Sequence, residues 1–122
     1  MSAFFCDPLV RKWLAQVKAG NCYASLHFEV PSADDPGASE VSGGTYARST
    51  LTWDSAGAST RAVWNVQDLA WLNLQQVTVV AVGAWDAPAK GSCLLWTVLD
   101  EPVAVPDRGS YALPAHGLFI AF

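Results

Sequence analysis

The chain has 122 residues, a formal net charge of −4, and charged side chains at only 15% of positions, where about a quarter is usual. Its seven Lys and Arg are scattered and form no basic patch, which excludes a nucleic-acid binder, and no apolar run approaches the ~20 residues of a membrane-spanning helix. The length fits one domain, and the shortage of charge predicts that part of its surface meets another protein chain.

The start, MSAFFCDPLV, lacks a basic n-region and is broken by Asp7 and Pro8, so it does not read as a signal peptide. Residues 7 to 18 carry a helix start and stop: Asp7 can cap, Pro8 suits the first helical position, and Gly20 follows the end. Leu9, Val10, Trp13, Leu14 and Val17 share one face, with Arg11, Lys12, Gln16 and Lys18 opposite. The spacing predicts a short amphipathic helix within an N-terminal arm, residues 1–20. Its apolar stripe lies either on the domain's own sheet or on a neighbouring subunit.

After Asn21 the period changes to two. Cys22, Ala24, Leu26 and Phe28 point one way, and Tyr23, Ser25, His27 and Glu29 the other, which predicts a half-buried strand. Residues 30 to 45 are rich in Pro, Gly and acidic side chains and read as a long surface loop. Strand signals recur at 47–53, 61–66, 77–85, 93–99, 102–105, 110–113 and 117–122, mostly divided by turn clusters such as DSAGAS at 54–59. The segment 66–76 reads as a short helix or as a wide loop crossing between sheets, with Leu69, Trp71 and Leu72 favouring a packed crossover. The fold expected over residues 21–122 is mainly β, an antiparallel β-sandwich with barrel-like character. The closing GLFIAF has no polar tail, so Phe119 and Phe122 are expected to be clamped in the sheet or against a partner.

A search for chemistry along the chain turns up little. Gly43 and Gly44 are followed by neither a lysine nor a helix, so they are no phosphate loop; they suit positive φ in a turn. That turn leaves Tyr46, Arg48 and Thr50 on one strand face, with Ala47, Ser49 and Leu51 on the other. No G-x-S-x-G elbow occurs, and only His27 and His116 could serve a nucleophile; a lone histidine on a strand's polar face reads as a surface residue. Asp34, Asp35 and Glu40 lack the ligand alternation of a calcium loop and read as solvated charge, so no metal or cofactor is expected. Cys6, Cys22 and Cys93 are odd in number with no CxxC pair, which predicts reduced thiols, with Cys22 and Cys93 as small core residues. The tryptophans at 13, 53, 64, 71, 85 and 96 could form a sugar-stacking row. Most lie in apolar runs, however, so buried or interface positions are the default.

The succession YASLHFEVPSADDPGASEVSGGTYARSTLTW, GAWDAPAKGSCLLWTVL and GSYALPAHGLFIAF resembles small tailed-phage virion proteins, labelled head-decoration, minor tail or tail-fibre-like. EVSGGTYAR is its most specific part, and LHFEVPSADDPG is longer than the family's usual loop. The resemblance implies a non-enzymatic virion protein: a β-sandwich that self-associates, often as a homotrimer, and contacts the major capsid protein or other virion proteins. Short length and the lack of a fibre repeat favour a decoration protein on the capsid surface, made in the host cytoplasm, over a tail fibre that binds a receptor or glycan. Leu9, Trp13, Val17, Phe119 and Phe122 are the expected interface residues, and Gly43, Gly44, Tyr46 and Arg48 the expected structural turn and strand. A small hydrolase using His27 or His116 is the remaining alternative.

Overall fold

A computed structural model describes residues 5–54 and 62–121, leaving aside the side chains at 17–19 and 120–121. Residues 1–4 of the arm, most of the expected turn at 54–59, Phe122 and the Val17 side chain lie outside the described residues. The described chain is mainly β and antiparallel, with one N-terminal helix, α1 (Asp7–Ala19). No described sheet closes into a barrel. That helix is too short to cross a membrane.

The strands are β1 (Cys22–His27), β2 (Ser49–Leu51), β3 (Trp53–Asp54), β4 (Ala62–Asn65), β5 (Leu69–Leu74), β6 (Val77–Trp85), β7 (Cys93–Val105), β8 (Gly109–Leu113) and β9 (Phe119–Ala121). They form three sheets, ordered β2-β1-β6-β7, β3-β4-β9 and β5-β8. A single core draws on α1 and all three sheets: Val10 and Leu14 meet Leu26, Val82, Trp53, Val63, Leu69 and Leu74. Each such side chain contributes about 1.5–3 kcal/mol of burial.

Helix α1 starts one residue earlier than its capping pattern suggests. Cys6 is the N-cap and its carbonyl accepts from Leu9 and Val10, while Asp7 is already helical. There its carboxylate still faces the positive end of the helix dipole. The apolar stripe divides. Val10 and Leu14, one turn apart, enter the core, whereas Leu9 is 41% exposed and Trp13 is half-buried with Phe5 edge-on to its ring.

Strand β1 is buried on both faces rather than one, and this corrects the expectation of a surface His27: Ser25 and His27 are 0% exposed. The cause is the long loop, which does not float in solvent. Residues 39–41 lie along β1, where Val41 N–H donates to the Leu26 carbonyl, Phe28 N–H donates to Ser39, and His27 bridges to Glu40. Phe28, expected inward, falls past the strand end and is exposed.

The segment 66–76 is neither helix nor loop. It holds β5, which pairs with β8, and Asn73 at φ 51° breaks the register between Trp71 and Leu74. The extra residue moves Leu74 back to the buried face, so the apolar spacing no longer alternates and mimics a helix. The expected strand at 47–53 divides at Thr52, where the chain passes from the four-stranded to the three-stranded sheet. The strand signals at 93–99 and 102–105 are one strand, β7. Val79 pairs with Val103 and Ala81 with Val98, so Leu99 to Pro102 bulge opposite Val80 alone.

Candidate functional site

The most elaborate polar cluster fastens the long loop to the outer face of the four-stranded sheet. Gly43 and Gly44, at φ 87° and 59°, turn the chain back so that Tyr46 and Arg48 reach Glu40. Arg48 donates from Nε and Nη2 to the two Glu40 oxygens at 2.9 and 2.8 Å, and from Nη1 to the Ala87 and Lys90 carbonyls. Its guanidinium lies over the Trp85 ring, 3.9 Å from the centroid. Tyr46 donates to Glu40 at 2.7 Å and accepts the Leu26 N–H at 3.1 Å, filling a gap in the ladder between β2 and residues 39–41. Burial opposes the Glu40 charge, but the hydrogen bonds from Arg48 and Tyr46 outweigh it and hold the carboxyl below its ordinary range. Burial, and then the bond to Glu40, raise the Tyr46 phenol.

Beneath this clasp runs a line of small polar groups. The Trp85 indole N–H can only donate, so Ser25 Oγ accepts it at 2.7 Å and turns its own proton to His27 Nε2, also at 2.7 Å. His27 then carries its proton on Nδ1 and donates to Ser39 Oγ at 2.9 Å. Burial, with a smaller contribution from Arg48 against the opposing pull of Glu40, lowers the His27 pKa to about 4. A serine beside a neutral histidine has the composition of a nucleophile and base. Here both are fully buried and capped by Trp85, so no substrate reaches them. A shallow cleft of about 540 Å³ lies nearby, but its Arg48 and Trp85 are committed to Glu40, the two carbonyls and Ser25.

Two outward surfaces, on β7 and on the three-stranded sheet, carry exposed apolar side chains. On β7 the residues Trp96 and Val98 alternate with Leu95 and Leu99, which pack against the core, and Leu94 is the extra residue of a bulge between Cys93 and Leu95. Leu94 is 46% and Val98 48% exposed. Among the described strands β7 pairs only with β6, so its other edge is open over this stretch. On the three-stranded sheet, Phe119 is 56% exposed and stacks parallel to Trp64.

The expected interface residues therefore stand apart. Leu9 and Trp13 are on the helix and Phe119 is on β9, while Phe122 and the Val17 side chain are outside the described residues. Phe119 is not clamped within its own sheet. Gly43, Gly44, Tyr46 and Arg48 gather around Glu40, which sequence reasoning placed among solvated loop charges; the spacing within EVSGGTYAR, an acid and a base on either side of a glycine turn, carried the signal. The β7 edge was missed. Its signal was a run, CLLWTVL, apolar on both strand faces, where one face suffices for the core. The tryptophans divide evenly: Trp53, Trp71 and Trp85 are buried, and Trp13, Trp64 and Trp96 half-buried. Cys22 is buried and Cys93 half-buried, and all three cysteines carry thiols rather than disulfides.

A protein-family model described as podophage GP4 fiber I protein gp80 matches residues 9–120. No curated protein matches the chain.

Proposed function

The chain belongs to the podophage GP4 fiber I protein gp80 family and is a phage virion structural protein; from that premise we propose that it is a non-enzymatic fibre subunit, assembled through the open edge of β7. The observation that carries this is the pair Leu94 and Val98, both nearly half exposed on a strand with no second neighbour among the described residues. An apolar open edge templates pairing with another chain unless it is blunted. The second half of β7 is blunted by the bulge, by Asp100 and Glu101, and by Pro102. The first half also holds a bulge, at Leu94 between Cys93 and Leu95, but carries no proline and no charged side chain.

Two copies of β7 laid antiparallel about Trp96 set Leu94 of one opposite Val98 of the other. Such a two-fold pair is favoured by this edge over the homotrimer that the resemblance implies. The family description favours a fibre over the capsid surface, with further copies and other virion proteins as partners in place of the major capsid protein. The burial of Ser25 and His27 supports a role without catalysis.

Immunogold labelling of intact particles with an antibody to this chain tests the assignment. Gold along tail appendages is the expected result. Gold spread over the capsid shell overturns it.

A further inference from the structure

We propose that the outer face of α1 docks head to tail on residues 28–35, the shoulder that follows β1, of a second copy of this chain. The contact deepens the fibre reading and rests on it for its consequence. The open edge of β7 closes with two copies, whereas a contact between two different patches leaves one of each free and repeats.

The two patches are opposite in charge. Asp7 is the single acid before Glu29, while three of the seven Lys and Arg, at 11, 12 and 18, stand on α1. From Glu29 to Ala47 the balance reverses: Glu29, Asp34, Asp35 and Glu40 meet no basic residue. Glu40 is taken up by Arg48, but among the described residues no ion pair engages Arg11, Lys12, Glu29, Asp34 or Asp35, all of them exposed. Both patches also carry apolar side chains outward. Leu9 is exposed and neighbours Lys12, three residues on, and Phe5 is exposed where it packs on Trp13. On the shoulder, Phe28 and Val30 are 42% and 56% exposed, on either side of Glu29 in the chain.

Each patch is shaped before it meets the other. Pro31 is buried, Ser32 Oγ accepts the Asp35 N–H at 3.1 Å, and Phe28 N–H donates to the Ser39 carbonyl at 3.0 Å. Val10 and Leu14 fix the helix to the core, so the outer face is held by the fold. Preformed surfaces lose little entropy on docking.

Complementarity selects a second copy as the occupant. A net charge of −4 opposes a phosphate-bearing surface, lipid or nucleic acid, whereas the shoulder is the acidic and apolar counterpart of the helix face. A few exposed side chains on each patch amount to far less than the ~800 Å² per partner of a stable interface, so the contact between single copies is weak. A β7 pair carries two helices and two shoulders, and the weak contacts then add.

Amide NMR of the full chain carrying Leu94→Lys and Val98→Lys, which silences the β7 edge, reads this contact by itself. Between micromolar and millimolar concentration at low salt, the amides of residues 9–16 and 28–35 should shift together, and high salt should abolish the shift. Arg11→Glu with Lys12→Glu, or Glu29→Lys with Asp34→Lys, should weaken self-association about tenfold, and an equal mixture of the two reversed chains should restore it. Unchanged spectral dispersion checks that each is folded. Shifts that are absent from either segment, that survive high salt, or that the mixture fails to restore overturn the proposal. A failure of β7 pairing leaves these outcomes unaltered, since the silenced edge takes no part in them.

Discussion

Arg48 meets Trp85 face to ring at 3.9 Å while its edge is taken up by both oxygens of Glu40. One side chain thereby ties three stretches of chain: the long loop at Glu40, the end of β6 at Trp85, and the turn at Ala87 and Lys90. The Arg48 and Glu40 side chains are only 6% and 15% exposed, so this ion pair is not a surface ornament.

Removing one partner of such a pair strands the other without water. Glu40→Gln and Arg48→Ala should each lower unfolding stability by about 3 kcal/mol, read from chemical-denaturation midpoints. Arg48→Lys should recover little, because an ammonium supplies neither the fork to Glu40 nor the flat face to Trp85. A lysine variant as stable as the parent would contradict the clasp.

Gly83 sits between β1 and β7 where its missing side chain matters. A Cβ there would lie 2.7 Å from Ser25 Oγ and 2.9 Å from His27 Nε2, both buried and hydrogen-bonded. Gly83→Ala should therefore destabilise by about 1–3 kcal/mol, although alanine suits a strand better than glycine. Thermal unfolding of the pair of proteins measures it.

Stability should also fall on acidification. The unfolded histidine takes up a proton near its ordinary 6.5, while folded His27 does so only at about 4. Between these values the unfolded state binds more protons, so stability is fully present above pH 6.5 and is lost as pH drops, by about 3 kcal/mol in all. Glu40, held below its ordinary value, adds a further loss at lower pH, once the unfolded carboxyl begins to protonate. Urea midpoints between pH 7 and pH 4 test the slope, and His27→Asn should flatten its upper part. A folded His27 ring titrating near 6.5 by NMR would contradict this.

Strand β6 was readable as an apolar run of strand length, Val77–Trp85, although only its first half alternates and Ala81 to Trp85 are buried throughout. Periodicity failed at β5, where left-handed Asn73 shifts the register and no single residue type announces the bulge. It failed again at His27, because alternation reports two faces but not whether a distant loop returns to cover the second. The clasp was half legible: EVSGGTYAR showed a glycine turn between Glu40 and Arg48, yet the third member, Trp85, lies far along the chain. Low charge pointed to a shared surface without locating it, since the helix stripe, the C-terminal aromatics and β7 are all apolar and only strand order reveals which edge lies open.

The central claim is that the open half of β7 joins copies of this chain. Sedimentation velocity of the parent and of a Leu94→Lys, Val98→Lys variant tests it most directly, because both side chains point outward and lysine on an edge strand is compatible with the fold. The account predicts an assembled parent and a monomeric variant with the same circular dichroism spectrum. A parent that stays monomeric at every concentration, or a variant that assembles as fully as the parent, would contradict it.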